Sequence, residues 1–171
     1  THWAGLSDSA LVLSQPAIGR QPLYTDSVLN NYPGLFFDGT TDYFDLAIEI
    51  DKPNFSISTV YNTLTKSSFI SLVRGSNNWF FGPHGGGHRA FSGGYTGGKP
   101  VDSARFVVHT LRAENDQIFN HVNDVLYGQK LAANRPGVSL RIGWFLSGYI
   151  PEIVIVNGDI SDSLRSSLDN Y

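Results

Sequence analysis

The sequence predicts an all-β fold, a sandwich or barrel of many short strands with one short helix at the C-terminal end. Three observations predict it. Apolar and polar residues alternate with period two in segments such as Phe55-Ser-Ile-Ser-Thr-Val-Tyr61, the pattern of a half-buried strand. Many short strand candidates recur at about ten-residue spacing, separated by turn pairs such as Asp38-Gly39, Lys52-Pro53, Gly75-Ser76, Asn123-Asp124, Pro136-Gly137 and Asn157-Gly158. A helical start signal stands out at one place: Ser161 as N-cap, Asp162 in the first turn, and Leu164 and Leu168 one turn apart.

The chain has 171 residues, the size of one domain with one core. Residues 1–34 are weakly patterned. They read as an extended N-terminal segment packing on the domain, with Leu11–Leu13 as a short strand and Pro16, Pro22 and Pro33 breaking the rest. The main domain then occupies residues 35–171. Its strand candidates are Leu35–Phe37, Tyr43–Ile48, Phe55–Tyr61, Ser68–Arg74, Trp79–Phe81, Arg89–Ser92, Arg105–Arg112, Gln117–Asn123, Val138–Gly143 and Tyr149–Val156. The helix runs from Asp162 to Asp169. No internal repeat or linker divides the chain.

Composition excludes several functions. Charged residues make up 16% and aromatics 13%, which argues against disorder. A formal net charge of -3 offers no basic footprint for nucleic acid. There is no cysteine, hence no disulfide framework and no thiolate metal site. No run of 18 apolar residues predicts a membrane helix, and no signal peptide is visible. The absence of methionine implies that either an initiator Met or a longer segment was removed before Thr1.

Two segments carry a family likeness. Pro33-Gly-Leu-Phe-Phe-Asp-Gly-Thr-Thr-Asp-Tyr-Phe-Asp-Leu46 is followed by Asn54-Phe-Ser-Ile-Ser-Thr-Val60. This resembles the opening pattern of concanavalin A-like lectin/glucanase domains, in their laminin-G-like jelly-roll branch. Leu140-Arg-Ile-Gly143, Gly148-Tyr-Ile-Pro-Glu-Ile-Val-Ile-Val-Asn157, Ile160–Leu164 and Leu168–Tyr171 resemble the closing pattern of the same family. Phe119–Asp124 resembles its Val-Asn-Gly hairpin, with Asp124 in place of the glycine. The resemblance implies a two-sheet antiparallel jelly roll and carbohydrate or protein binding. It also implies an extracellular or virion-surface location, with calcium as a possible cofactor at Asp38, Asp42, Asp45 or Asp124. Asp38 and Asp42 read first as turn formers, Asp38 accepting local N–H bonds beside a positive-φ Gly39. Glu152 reads as a structural hydrogen-bonding residue.

Catalysis is not expected. Glucanases of the superfamily carry Glu-x-Asp-x-x-Glu on one strand. Here Glu49-Ile-Asp51-Lys52-Pro53-Asn54 has an amide where the acid belongs, and Lys52-Pro53 ends the strand. Neither a nucleophile elbow nor a phosphate loop is present.

The stretch Asn77–Pro100 holds eight glycines between Gly82 and Gly98. Three of them, Gly85–Gly87, rule out the helix that would align His84 and His88 as metal ligands. Trp79, His84, His88, Arg89 and Tyr95 bring together ring faces and planar polar groups, the side-chain types that recognise sugars, and Trp144 joins them from a predicted loop. Alternation puts Phe80 opposite Trp79 and Phe81, which leaves Trp79 open to core packing or ligand stacking. His109 and His121 read as satisfied sheet histidines in neighbouring strands, and Trp3 as a contact for a neighbouring module or subunit. The sequence thus points to a non-catalytic, lectin-like domain recognising surface glycans or polysaccharide. A structural or adhesion domain of a larger assembly, such as a phage tail or capsid accessory protein, is the alternative. A glycanase is the third reading.

Overall fold

A computed structural model of the chain describes residues 2–4, 12–50, 53–65, 69–103 and 105–158. The expected helix at Asp162–Asp169 lies outside these residues. Among the described residues fifteen strands follow in chain order. They are β1 (His2–Ala4), β2 (Val12–Ser14), β3 (Leu23–Leu29), β4 (Tyr32–Asp38) and β5 (Phe44–Leu46). Next come β6 (Phe55–Thr63), β7 (Ser71–Gly75), β8 (Trp79–His84), β9 (Gly87–Ser92) and β10 (Lys99–Pro100). The last are β11 (Val107–Glu114), β12 (Gln117–Val122), β13 (Val125–Leu131), β14 (Leu140–Trp144) and β15 (Ser147–Val156). One 3₁₀ turn, Ile18–Arg20, precedes β3.

The strands form two antiparallel sheets. One has eight strands in the order β1-β2-β5-β14-β7-β8-β9-β10, and the other seven in the order β13-β12-β11-β6-β15-β4-β3. Their inner faces enclose one core that includes Phe37, Phe44, Phe55, Tyr61, Trp79 and Phe81. Burial of such large apolar side chains, at about 25 cal/mol per Å², is what holds a sandwich together.

Two-residue turns close four hairpins. Asn30-Asn31, Gly85-Gly86, Asn115-Asp116 and Asn123-Asp124 all have positive φ at both positions. That geometry matches the right-handed twist of the flanking strands, and Asn, Asp and Gly adopt it at low cost.

Several expectations change. Residues 1–34 supply β1 and β2 to one sheet and β3 to the other, and the boundary at residue 34 falls inside β4. β13 follows the Asn123-Asp124 turn as a seven-residue strand that the alternation did not reveal. Its glycine, and the register shift opposite Asn120/His121, interrupt the period. The turn at Asp38–Asp42 forms as expected, with Gly39 at φ 82.

Candidate functional site

The eight-stranded sheet carries a continuous aromatic and basic surface on its outer face. Cross-strand partners share a face. Asp45 pairs with Arg141 and Arg141 with Arg74. Arg74 pairs with Phe80, and Phe80 with Phe91. These five residues form one row across β5, β14, β7, β8 and β9. Trp79 and Phe81, on either side of Phe80, are both fully buried, so the row faces away from the core.

Rings extend from this row. Phe80 stacks on Phe91 with centroids 5.4 Å apart and planes 2° from parallel. Phe69 meets Phe80 at 5.3 Å, His84 at 5.4 Å and Trp144 at 6.3 Å. Tyr95 is 42% exposed and stacks on His84 at 4.6 Å. Its hydroxyl hydrogen-bonds His84 Nε2 at 2.6 Å. Trp144 and Phe145 stack at 4.4 Å, although adjacent residues in a regular strand point to opposite faces. Left-handed backbone at Gly143, φ 76, and at Phe145, φ 62, breaks the alternation. A side chain at 143 would also collide with the Phe37 ring, 2.1 Å from its Cβ.

Guanidinium groups lie among the rings. Arg74 Cζ sits 4.3 Å from the Trp144 centroid, and Arg141 Cζ 4.0 Å from that of Tyr43. Arg141 donates to Asp45 through Nε at 2.9 Å and Nη2 at 3.4 Å. Arg89 Cζ lies 6.0 Å from the Tyr95 centroid. Burial, then the Arg89 charge, lower the His84 pKa, which favours neutral imidazole in the stack at physiological pH.

The glycine-rich stretch is folded back onto this face. Ala90 donates its N–H to Thr96 Oγ1, and Thr96 its N–H to the Ala90 carbonyl, both at 3.0 Å. Ser92 donates to the Gly94 carbonyl at 3.1 Å. The loop thereby returns beside β9 and places Tyr95 against Phe91, at 5.0 Å between centroids. From the other sheet, Asn120 Nδ2 donates to the carbonyls of His88 and Gly97, each at 2.9 Å. Gly97 and Gly128 let the two backbones touch: a Cβ at Gly97 would stand 2.4 Å from the Tyr127 carbonyl oxygen.

Asn120 belongs to a polar network inside the core. Because its amide nitrogen donates twice, its oxygen accepts from His109 Nε2, at 2.7 Å, which puts the His109 proton on Nε2. Burial pushes the Tyr61 pKa well up, so its hydroxyl stays protonated and donates to His88 Nδ1. Burial, and then the Lys99 charge, lower the His88 pKa to about 4. Burial and the neighbouring His88 and His121 charges push His109 well down.

Of the six residues singled out in the sequence, four share the outer face: His84, Arg89, Tyr95 and Trp144. Trp79 and His88 are corrected to the core side, at 0% and 1% exposure. Trp79 packs edge-on against Phe55. The parity of β8 and β9 also puts His84 and His88 on opposite faces, so they do not converge on a metal. Among the described residues no group of three or more His, Asp or Glu could hold an ion.

Asp38 is a turn former. Its Oδ1 accepts the N–H groups of Thr40, Thr41 and Asp42, and its Oδ2 the hydroxyls of Thr40 and Thr41. Desolvation raises the Asp38 pKa, but the bonds from Thr40, Asp42 and Thr41 outweigh it and hold the carboxyl well below the usual carboxylate range. Asp42 accepts the Asp38 N–H. Asp51 lies outside the described residues, and Glu49 is exposed, with its carbonyl accepting from Asn157. His109 and His121 sit on neighbouring strands but pair with Val122 and Thr110 respectively, so they face opposite sides of their sheet.

Sequence reasoning missed Phe69, Arg74, Phe80, Phe91, Arg141 and Phe145 as members of the face. For Arg74 and Arg141 the signal was present: each follows or precedes an apolar residue of the buried face. A hollow of about 430 Å³ lies on the seven-stranded sheet. Leu29, Asn30, Val60, Phe106, Val108 and Asn123 are among its walls.

No known protein family matches the sequence, and no curated protein matches it. Solved structures do share its fold. Domain 4 of AbnA, a GH43 extracellular arabinanase from Geobacillus stearothermophilus solved with arabinotriose, matches with a TM-score of 0.68. The match has 15% identity and covers 87% of this chain and 81% of that one. The binding domain of Paraclostridial Mosquitocidal Protein 1 matches with a TM-score of 0.66 and 13% identity, over 98% of this chain and 49% of that one. Trypanosoma rangeli sialidase in complex with the inhibitor DANA matches with a TM-score of 0.63 and 13% identity, over 80% of this chain and 27% of the sialidase. The chain therefore shares a β-sandwich fold with these proteins. At these identities the likeness defines the fold, and function rests on the site.

Proposed function

We propose that this chain is a non-catalytic, lectin-like carbohydrate-binding domain of the concanavalin A-like, laminin-G-like type, acting outside cells or on a virion surface. Its ligand face is the outer face of the eight-stranded sheet. The observation that carries this reading is the unbroken series of rings Trp144, Phe145, Phe69, His84 and Tyr95 on one face. Sugar rings present C–H surfaces that stack on aromatic faces, and their hydroxyls require the polar edge groups found here. Phe145 supports the reading because a bulky residue in left-handed backbone is a strain that tends to accumulate at functional sites. The arabinotriose held by a domain of the same fold supports it too.

Binding without cleavage is favoured by the carboxylates. Glycosidic hydrolysis uses a pair of them. On this face the strand register supplies Asp45, which is engaged by Arg141, and Asn54 stands where a glucanase acid would.

The test is a panel of plant, bacterial and animal glycans offered to the wild-type protein and to the Tyr95→Ala/Trp144→Ala double variant. Binding by the wild type and its loss in the variant is the expected result. Absence of binding across the panel, or binding that survives the double substitution, contradicts the proposal. Steady release of reducing ends would instead identify a glycanase.

A second reading, a structural or adhesion domain in a larger assembly, is favoured by β13. This terminal strand of the seven-stranded sheet exposes Val125, Leu126, Tyr127 and Leu131, and an apolar edge is a template for pairing. Solution mass tests it: a stable oligomer that Leu126→Lys dissociates supports assembly. Among the described residues no helix is long and apolar enough to cross a membrane.

A further inference from the structure

Seven arginines lie among the described residues. Four are paired with carboxylates: Arg105 with Asp102, Arg112 with Glu114, Arg135 with Asp116 and Arg141 with Asp45. Arg20 donates to the Tyr43 hydroxyl. The remaining two, Arg74 and Arg89, have no carboxylate partner among the described residues, and both stand on the aromatic face. In a chain with an excess of acids, this placement is selective.

Each of the two is held by contacts that leave its charge uncompensated. Arg74 lies on the Trp144 ring, which orients the guanidinium plane without neutralising it. Arg89 is laid along the glycines of β9 and the following loop. A Cβ at Gly98 would come within 2.7 Å of Arg89 Cγ, and one at Gly87 within 3.1 Å of its Nε. Arg89 Nε is buried with no hydrogen-bond partner, so a ligand carboxylate meets this guanidinium through its terminal nitrogens. The two arginines are two strands apart, about 10 Å across the sheet and about two residues offset along it. Phe80, Phe91 and Tyr95 lie between or beside them.

We propose that the saccharide bound by this face is anionic, a uronate-type glycan whose carboxylates are received by Arg74 and Arg89 while its sugar rings stack on Tyr95 and Trp144. This rests on the carbohydrate-binding reading above and specifies its substrate class. A guanidinium offers two parallel N–H donors that match a carboxylate, so carboxylates are favoured over isolated hydroxyls at both positions. Arg141, already bound to Asp45, serves to frame the face. The spacing requires an oligosaccharide, with carboxylates on separate sugar residues meeting the two arginines.

The test is calorimetric titration with tetrameric oligouronates and with the same oligosaccharides after carboxyl reduction, alongside neutral arabinan and glucan oligomers. The uronate is expected to bind at least about tenfold more tightly than its reduced counterpart, as for charge-assisted hydrogen bonds. Arg74→Gln and Arg89→Gln should each lower uronate affinity several-fold, and the double variant should reduce it to that of the neutral oligomer. Arg74→Lys/Arg89→Lys retains the charge and should keep the salt dependence while binding more weakly. Unchanged thermal melting shows that the variants are folded. Equal affinity for reduced and acidic oligomers, or arginine-independent binding, overturns this inference and leaves the carbohydrate reading standing. Preference for sulfated over carboxylated oligomers overturns the uronate assignment. Binding to no saccharide overturns both.

Discussion

Acidification from pH 7 to pH 5 weakens this fold through His88. The side chain is fully inside the sandwich, accepts the Tyr61 proton on Nδ1 and carries its own on an Nε2 with no partner. Its pKa is lowered from 6.5 to about 4 by burial and by Lys99, so the folded imidazole stays neutral where the unfolded one is protonated. The unfolded state therefore binds more protons between these values, and stability falls as pH falls. At about 1.4 kcal/mol per pH unit, His88 alone removes about 2 kcal/mol by pH 5 and about 3 kcal/mol by pH 4. His109, shifted in the same direction, adds to the loss. Asp38, whose pKa is depressed from 3.8, contributes stability that is lost only at lower pH, so it does not add to the loss between pH 7 and pH 5. Urea denaturation at half-unit steps across that window measures the effect. A midpoint that is unchanged between pH 7 and pH 5, or an imidazole signal of His88 that titrates near 6.5, would refute the reasoning.

Three further outcomes follow from the same structure. Trp79→Ala should cost about 3–5 kcal/mol in chemical denaturation, the range for a buried aromatic, whereas Trp144→Ala should cost less than about 1.5 kcal/mol and abolish glycan binding. Asn120→Ala removes the donors to His88 and Gly97 and the acceptor for His109; it should destabilise by about 2–4 kcal/mol and weaken binding further by releasing the Tyr95 loop, measured by melting and calorimetry on the same sample. Phe145→Gly relieves left-handed strain of about 1–2 kcal/mol, so stability should change little while affinity drops, because the ring stacked on Trp144 is gone.

The architecture was legible where alternation or a short bounded apolar run marks a strand. Phe55–Tyr61, Trp79–Phe81 and Tyr149–Val156 became strands β6, β8 and β15 with small shifts at their ends, and Phe80 faces away from Trp79 and Phe81 as period two requires. Interrupted segments and exposed ones were harder. β13 carries a glycine and lies beside a register shift, and β3 exposes Leu23 and Tyr24, so neither shows a buried stripe. For the site, the glycine-rich stretch announced a loop with His84, Arg89 and Tyr95 but not the parity of each residue. His88 and Trp79 were drawn in by proximity in sequence, and register alone sends them inward. Phe69 and Arg74 come from a strand read only as sheet. Phe145 escapes any periodic reading because its ring reaches the face through a left-handed backbone that no pattern of apolar residues encodes.

A ligand received by the outer face of the eight-stranded sheet must perturb the residues of that face and leave the core unchanged. The most direct measurement is an NMR titration of the protein with a tetrameric oligouronate, following the indole N–H signals of Trp144 and Trp79 together with backbone amides across both sheets. The Trp144 indole and the amides around Tyr95, Arg89 and Arg74 are expected to shift in a saturable way while the Trp79 indole stays in place. Saturable shifts confined to Val60, Phe106, Val108 and Asn123 on the other sheet, with Trp144 unmoved, would contradict it.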